Sequence, residues 1–278
     1  RPAPVQGTYL GYANTTGVDA IQFRFIDSLT DPTGAEAHAT ERLVRLDPCF
    51  LCFEPPADAP DPSPCPSDAR GYVTFGSFNS PIKLNDPLIG LWARVLNAVP
   101  DSRLVLKGEA LGDAEFAGIV RGKFASAGVD ALRLDLLGKV ASSTGHLSAY
   151  GQIDIALDSF PYHGTTTTCE AVWMGVPVVS RVGVVHASRV GLSLLSAVGL
   201  GDLAVESDDA FVAKAAALAR DSARRRELRT GLRTMIRSSP LCDGPGFAAR
   251  FESAIRSEWT QWCNAQVAGS DSAVRSAF

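Results

Sequence analysis

From residue 71 to residue 240 the chain alternates strand-like and helix-like stretches with little between them. YVTFGSF reads as a strand. DPLIGLWARVLNAVP reads as an amphipathic helix, with Leu88, Leu91, Trp92, Val95 and Leu96 on one face and Pro87 in its first turn. SRLVLKG is a strand, AEFAGIVRGKFASAG a helix stopped by glycine, LRLDLLG a strand, SSTGHLSAYGQ a short helix and IDIALDSF a strand. TTTTCEAVWMG, HASRVGLSLLSAVG and DDAFVAKAAALARD predict further helices, separated by strands at VPVVSRVG and LAVES. Strands joined through helices of this length predict βαβ units, a parallel sheet and an α/β fold. In an open sheet of that kind ligands bind beyond the carboxyl ends of the strands, so functional residues are sought in the loops that leave them.

Residues 1–54 follow another pattern. PVQGTYLGY, FRFIDSL and LVRLDPCFLCF are three strand-like pieces. ANTTGVDAIQ, between the first two, predicts a loop entering a short helix capped by Thr15 or Thr16, with Gly17 open to close backbone approach. Three strands and one short helix cannot cover both faces of a sheet. The segment therefore reads as the end of a larger domain, and the start at Arg1, without Met, as a cut. Residues 55–70, which open PPADAPDPSPCPSD, read as a Pro-rich linker. Residues 241–264 predict a final helix with Phe247, Phe251, Ile255 and Trp259 at helical spacing, and the small polar residues of 265–278 a disordered tail.

Composition excludes some roles. A net charge of -4 leaves no electrostatic footprint for nucleic acid or an acidic membrane. No apolar run approaches the ~20 residues of a membrane span, and no signal segment opens the chain. The cysteines at 49, 52, 65, 169, 242 and 263 are too scattered for a disulfide scaffold. Cys49 and Cys52 form a C-x-x-C in an apolar run with no second half to complete a zinc site. They read as buried free thiols rather than metal or redox groups, in a reducing cytoplasmic or nuclear setting.

Three loops carry candidate chemistry. In PYHGTTTTCE, Gly164 frees a turn and Thr165, Thr166, Thr167 and Thr168 open a helix whose free N–H groups and dipole favour phosphate. Glu170, a turn further on, could accept from two ribose hydroxyls; the alternative is a Thr-capped helix with Glu170 complementing its dipole. Lys83, in the Asn79–Ser80–Pro81–Ile82–Lys83 loop after the strand YVTFGSF, could neutralise a leaving diphosphate or be a solvated surface lysine. His146 could meet a base or phosphate, or make local helix-start hydrogen bonds. His163 is either a substrate contact or an exposed loop residue. His186 and Arg189 open the next helix on the same rim, where Arg189 could reach phosphates or cover apolar surface. His38 sits in a polar stretch and reads as solvated. No G-x-x-x-x-G-K-[ST], no G-x-G-x-x-G after a strand, no G-x-S-x-G and no clustered metal ligands are present.

The stretches LDSFPYHGTTTTCEAVWMGVPVV, VTFGSFNSPIKLNDPLIGLWARVLNAVPDSRLVLK and RPAPVQGTYLGYANTTGVDAIQFRFIDSLTDP resemble the SPINDLY and O-GlcNAc transferase family, and the likeness runs over nearly all of residues 1–262. FPYHGTTTTCEA and VHASRVGLSLL resemble SPINDLY more than animal O-GlcNAc transferases. The resemblance implies a GT-B glycosyltransferase with two Rossmann-like domains and no metal or cofactor: here the whole second domain and the tail of the first. By matching position, Lys83 would stabilise the diphosphate, Thr166 and Thr167 would cradle it, and Glu170 would hold the ribose. His146 and the backbone around Ala141 would line the nucleotide, and Gly11, Tyr12, Thr15, Thr16 and Gly17 would border sugar and acceptor. Two positions depart from the animal pattern: Ser143 replaces a lysine near uracil, and Thr165 a histidine beside the Thr pair. Both weaken the case for a uridine donor, and the likeness to SPINDLY implies GDP-fucose, with UDP-GlcNAc as the alternative donor. Acceptors would be protein Ser or Thr. The family's TPR repeats and the rest of its first domain lie outside this sequence, so a non-catalytic nucleotide-binding fragment stays open as an alternative, as does a sugar-nucleotide epimerase.

Overall fold

The computed structural model describes residues 2–275, with side chains through Val267. Its first unit is a small parallel sheet of β1 (Gly7–Thr8), β2 (Phe23–Ile26) and β3 (Arg42–Arg45), in that spatial order. The short helix expected after Thr15 or Thr16, within residues 13–22, is absent; this stretch is loop, and a helical turn follows at Ala35–His38. Thr15 and Thr16 cap nothing. Their hydroxyls and the Thr16 N–H turn instead to Glu41, distant in the chain, with Thr15 Oγ1 at 2.7 Å. Burial works against the Glu41 carboxylate, but these hydrogen bonds outweigh it and hold its pKa at about 2.

The linker is shorter than its sequence suggests, because Pro66–Arg70 forms a helix, α1. Ser67 at its start donates from Oγ to the buried Asp154 at 2.7 Å. Then come β4 (Thr74–Ser77), α2 (Asp86–Ala98), β5 (Arg103–Lys107), α3 (Ala114–Ser126), β6 (Leu134–Leu137), α4 (Ser143–Ser148), β7 (Ile155–Leu157), α5 (Thr166–Trp173), β8 (Val178–Arg181), α6 (Val190–Ala197), β9 (Ala204–Val205) and α7 (Asp208–Arg220). The six strands form one parallel sheet in the order β6-β5-β4-β7-β8-β9. Helix α2 starts where Asn85 accepts the Leu88 N–H at 2.9 Å, and it buries the apolar face read from its sequence. Trp92, Phe75, Phe124 and Phe211 are fully buried around this sheet, each contributing about 1.5–3 kcal/mol by burial.

The order places β4 beside β7, and their connections leave in opposite directions, β4 toward β5 and β7 toward β8. That is a switch point, where a crevice opens at the strands' carboxyl ends. The loops leaving β4 and β7 carry the Lys83 and Thr165–Thr168 motifs.

Two helices close the chain. The first, α8 (Ser222–Arg237), was not anticipated; it buries Leu228, Leu232 and Ile236 together with Arg225 and Arg229. Arg225 donates to Leu218 O at 2.9 Å and Arg229 to Met174 O at 3.2 Å, so both charged heads serve carbonyls. The last, α9, runs from Gly244 to Arg275, so residues 265–275 are helical where a disordered tail was expected; 276–278 lie outside the described residues. It returns to the first sheet, where Phe247 and Phe251 pack against Tyr9 and Phe25. Of its predicted stripe, Ile255 and Trp259 are instead exposed, while Ala254 packs inward and Glu258, one turn on, is buried and paired with Arg42. The six cysteines are free thiols; burial raises Cys49 to about 11. Among the described residues no helix is long and apolar enough to cross a membrane.

Candidate functional site

At the β4–β7 switch point the side chains converge on one atom. Asn79 Oδ1 accepts from Lys83 Nζ at 3.1 Å and from Thr167 Oγ1 at 3.1 Å, joining the loop after β4 to the first turn of α5. Lys83 ends a helical turn opened by Ser80 and Pro81; it also donates to His163 O at 2.8 Å and lies 4.5 Å from the Tyr162 ring. Burial lowers its pKa from the ordinary lysine value, and the negative charge of Asp158 opposes that shift. An ammonium has three donors, and two are engaged by protein. Thr166 is exposed on the first turn of α5, and Thr165 precedes it with no side-chain cap bond. The geometry offers a cation and a free helix N-terminus side by side, an arrangement that favours anions such as phosphate.

A second cluster lies deeper along the same rim. Glu170 accepts from His146 Nε2 at 2.9 Å and from the Tyr150 hydroxyl at 3.2 Å. The other ring nitrogen of His146 meets Lys107 Nζ at the end of β5. Burial lowers the Lys107 pKa, and Glu170 opposes the shift. Lys107 and Tyr150 were missed in the sequence: one reads as a strand residue and the other as a core aromatic, and only the fold turns them to Glu170. Ala141 and Ser143 lie exposed on the segment between β6 and the first turn of α4.

Other candidates are placed differently. Arg189 turns to Leu29 O at 2.8 Å and Gly183 O at 3.0 Å, so it ties the two units together rather than presenting its guanidinium to the Thr run. His163 is buried, not exposed. Its Nε2 pairs with Arg181 O at 2.8 Å and its Nδ1 with Gly191 N–H at 2.9 Å, so both ring nitrogens are engaged within the protein and none is left for substrate. His38 is exposed. On the first unit's side, Tyr12 is exposed at the mouth of a cavity and Gly11 turns the chain next to Leu10, whose φ is 56°. Thr15 and Thr16 are held away on Glu41, and Gly17 has φ 66° with open space around it. Among the described residues no group of three or more His, Cys, Asp or Glu side chains is placed to hold a metal ion.

The model of glycosyl transferase family 41 matches residues 64–251, from α1 through the first turns of α9. This chain belongs to glycosyl transferase family 41. It is 44% identical over 96% of its length to a probable UDP-N-acetylglucosamine–peptide N-acetylglucosaminyltransferase, SPINDLY, of Arabidopsis thaliana. To the SEC protein of the same plant, named for the same activity, identity is 28% over 96% of the chain. A solved lysine-to-methionine mutant of Thermobaculum terrenum O-GlcNAc transferase superposes with a TM-score of 0.89 at 36% identity, covering 96% of this chain and 50% of that one. The family 41 chain described here thus has the GT-B architecture of that enzyme's matching half. It spans 29% of the Arabidopsis SPINDLY protein and 28% of SEC.

Proposed function

We propose that the protein carrying this chain is a nucleotide-sugar-dependent protein O-glycosyltransferase. A Ser or Thr hydroxyl of the acceptor attacks the anomeric carbon, the bond to the diphosphate breaks, the nucleoside diphosphate leaves with the bonding electrons, and the hydroxyl proton is released to solvent. The observation that carries this reading is the Lys83–Asn79–Thr167 junction, which sets a partly desolvated cation against a helix N-terminus at the switch point. Such an array favours the charge that grows on the leaving group more than the neutralised ground state. His146, Glu170 and the 140–143 backbone form the nucleoside side. Glu170 would exchange its internal hydrogen bonds for ribose hydroxyls.

For the donor, the reading is GDP-fucose. The plant relatives are named for UDP-N-acetylglucosamine, so the argument rests on the base pocket. Uracil gains from a cation near its carbonyls, and Ser143 supplies none. Guanine needs room and acceptors for its amino and ring N–H groups; the short exposed Ser143 leaves room, and carbonyls near Val140 and Ala141 can accept. Titration calorimetry on the full-length protein should show GDP binding more tightly than UDP by at least ~1.4 kcal/mol, a tenfold ratio. Equal affinity, or tighter UDP, would restore N-acetylglucosamine as the transferred sugar.

Gly164 gives a second check on the phosphate side. A Cβ there would lie 2.4 Å from Thr167 Oγ1 and 2.9 Å from Asn79 Oδ1, the atoms of the junction. Overpacking of this kind costs about 1–3 kcal/mol. Gly164→Ala is expected to weaken nucleoside diphosphate binding ~tenfold and, because the clash is present without ligand, to lower the ligand-free thermal midpoint by roughly a few degrees. Unaltered affinity would show that the junction does not hold the diphosphate.

A further inference from the structure

Beside the Thr run lies a cavity of about 230 Å³ walled by both units, with Tyr12, Phe25 and Arg24 from the first and Thr165, Thr166 and His186 from the second. Arg24 projects from β2 and is 4% exposed. One arm of its guanidinium, Nη2, donates to Asp31 Oδ1 at 2.7 Å. The other Asp31 oxygen meets His186 Nδ1 at 2.6 Å, so the arginine is held by a chain that crosses between the units. Its Nε and Nη1 are buried and have no partner in the protein. Unpaired buried donors on a charged group are costly and rarely left so. Arg24 is among the residues lining the cavity, so acceptors seated there meet these nitrogens once its side chain shifts toward the space.

The charge around Arg24 narrows what those acceptors are. Asp31 already neutralises it: burial raises the Asp31 pKa, but the hydrogen bond from His186 and the charge of Arg24 outweigh that and keep it ionised. A second anion is not called for, and the diphosphate has Lys83 and the α5 terminus. Spare N–H groups on a neutralised guanidinium suit uncharged oxygens such as sugar hydroxyls. The cavity is smaller than the ~300–1,000 Å³ of sites for drug-sized ligands and is partly aromatic, which fits one sugar ring.

We propose that Arg24, positioned by Asp31 and His186, recognises the hexose of the donor by donating from Nε and Nη1 to its hydroxyl oxygens. This assignment rests on the glycosyltransferase reading above, and its test separates the two. Calorimetry on the full-length protein would compare GDP with GDP-fucose, and UDP with UDP-N-acetylglucosamine, for the wild type, Arg24→Gln and Arg24→Lys. Both variants should bind the nucleoside diphosphate within about threefold of wild type and lose ~tenfold or more in affinity for the matching nucleotide sugar. Arg24→Lys keeps the charge facing Asp31 and carries the test if Arg24→Gln does not fold. Equal losses for sugar and diphosphate, no loss for the sugar, or failure of both variants to fold would each overturn the assignment. A wild type that binds neither nucleotide would remove the glycosyltransferase reading as well.

Discussion

Replacing Lys83 by Ala in the full-length protein is expected to lower turnover by ~100-fold or more, the scale of removing one charge stabiliser from a reacting centre. Lys83 is held on two sides, by Asn79 Oδ1 and His163 O. Two anchored donors fix where the third can point, so little reorganisation is needed when charge develops. Burial has already removed part of the ammonium's hydration, as its lowered pKa records, and a cation in such a place acts more strongly on a nearby anion than one in water. The effect should fall mainly on kcat, with a smaller change in nucleotide affinity, because the interaction strengthens as the diphosphate leaves. Lys83→Ala turnover within a few fold of wild type would remove Lys83 from the chemistry and leave the helix terminus of α5 as the phosphate site.

The parts of this architecture that were legible in the sequence depend on short-range pattern. The βαβ series shows because each helix and strand writes its own period, as Leu88, Leu91, Trp92, Val95 and Leu96 do in α2. Lys83 and the Thr run were visible because both follow strand ends, where a parallel sheet collects ligands. What escaped depends on distant partners. Helix α8 hides its apolar stripe of Leu228, Leu232 and Ile236 among arginines, and nothing local says that Arg225 and Arg229 turn inward to backbone carbonyls. Thr15 and Thr16 look like caps until Glu41 arrives from β3's approach. Lys107 joins Glu170 through His146 and Tyr150 meets it directly, and both contacts depend on the sheet's strand order. Arg24 looks like a solvated residue of an alternating strand, yet all four residues of β2 are buried because the second unit and α9 pack beside it.

The joint between the two units should be as sensitive as the site it shapes. Asp27 is fully buried at the end of β2. Its Oδ1 accepts from the N–H groups of Leu29 at 2.9 Å and Thr30 at 2.7 Å, while Oδ2 accepts from Phe50 N–H at 2.9 Å and from the Ser193 hydroxyl on α6. Four donors from three parts of the chain therefore depend on one carboxylate, and Ser193 belongs to the other unit. Asp27→Ala would leave three backbone N–H groups and a hydroxyl buried without acceptors. At ~1–3 kcal/mol for each donor left unpaired, less what local relaxation recovers, the expected loss is about 3 kcal/mol or more. Hydrogen exchange reads this locally in the full-length protein: peptides holding the Leu29, Thr30 and Phe50 amides should exchange ~100-fold faster or more, since each 1.4 kcal/mol is tenfold. Asp27→Asn should also open this joint, because an amide offers one acceptor oxygen where the carboxylate offers two. Ser193→Ala removes one donor and its hydroxyl together and should cost less than either. If exchange in Asp27→Ala rose by under about threefold, the carboxylate would not be what joins β2 to α6. The alignment of the cavity between the units would then rest on Arg189 at Leu29 O and His186 at Asp31.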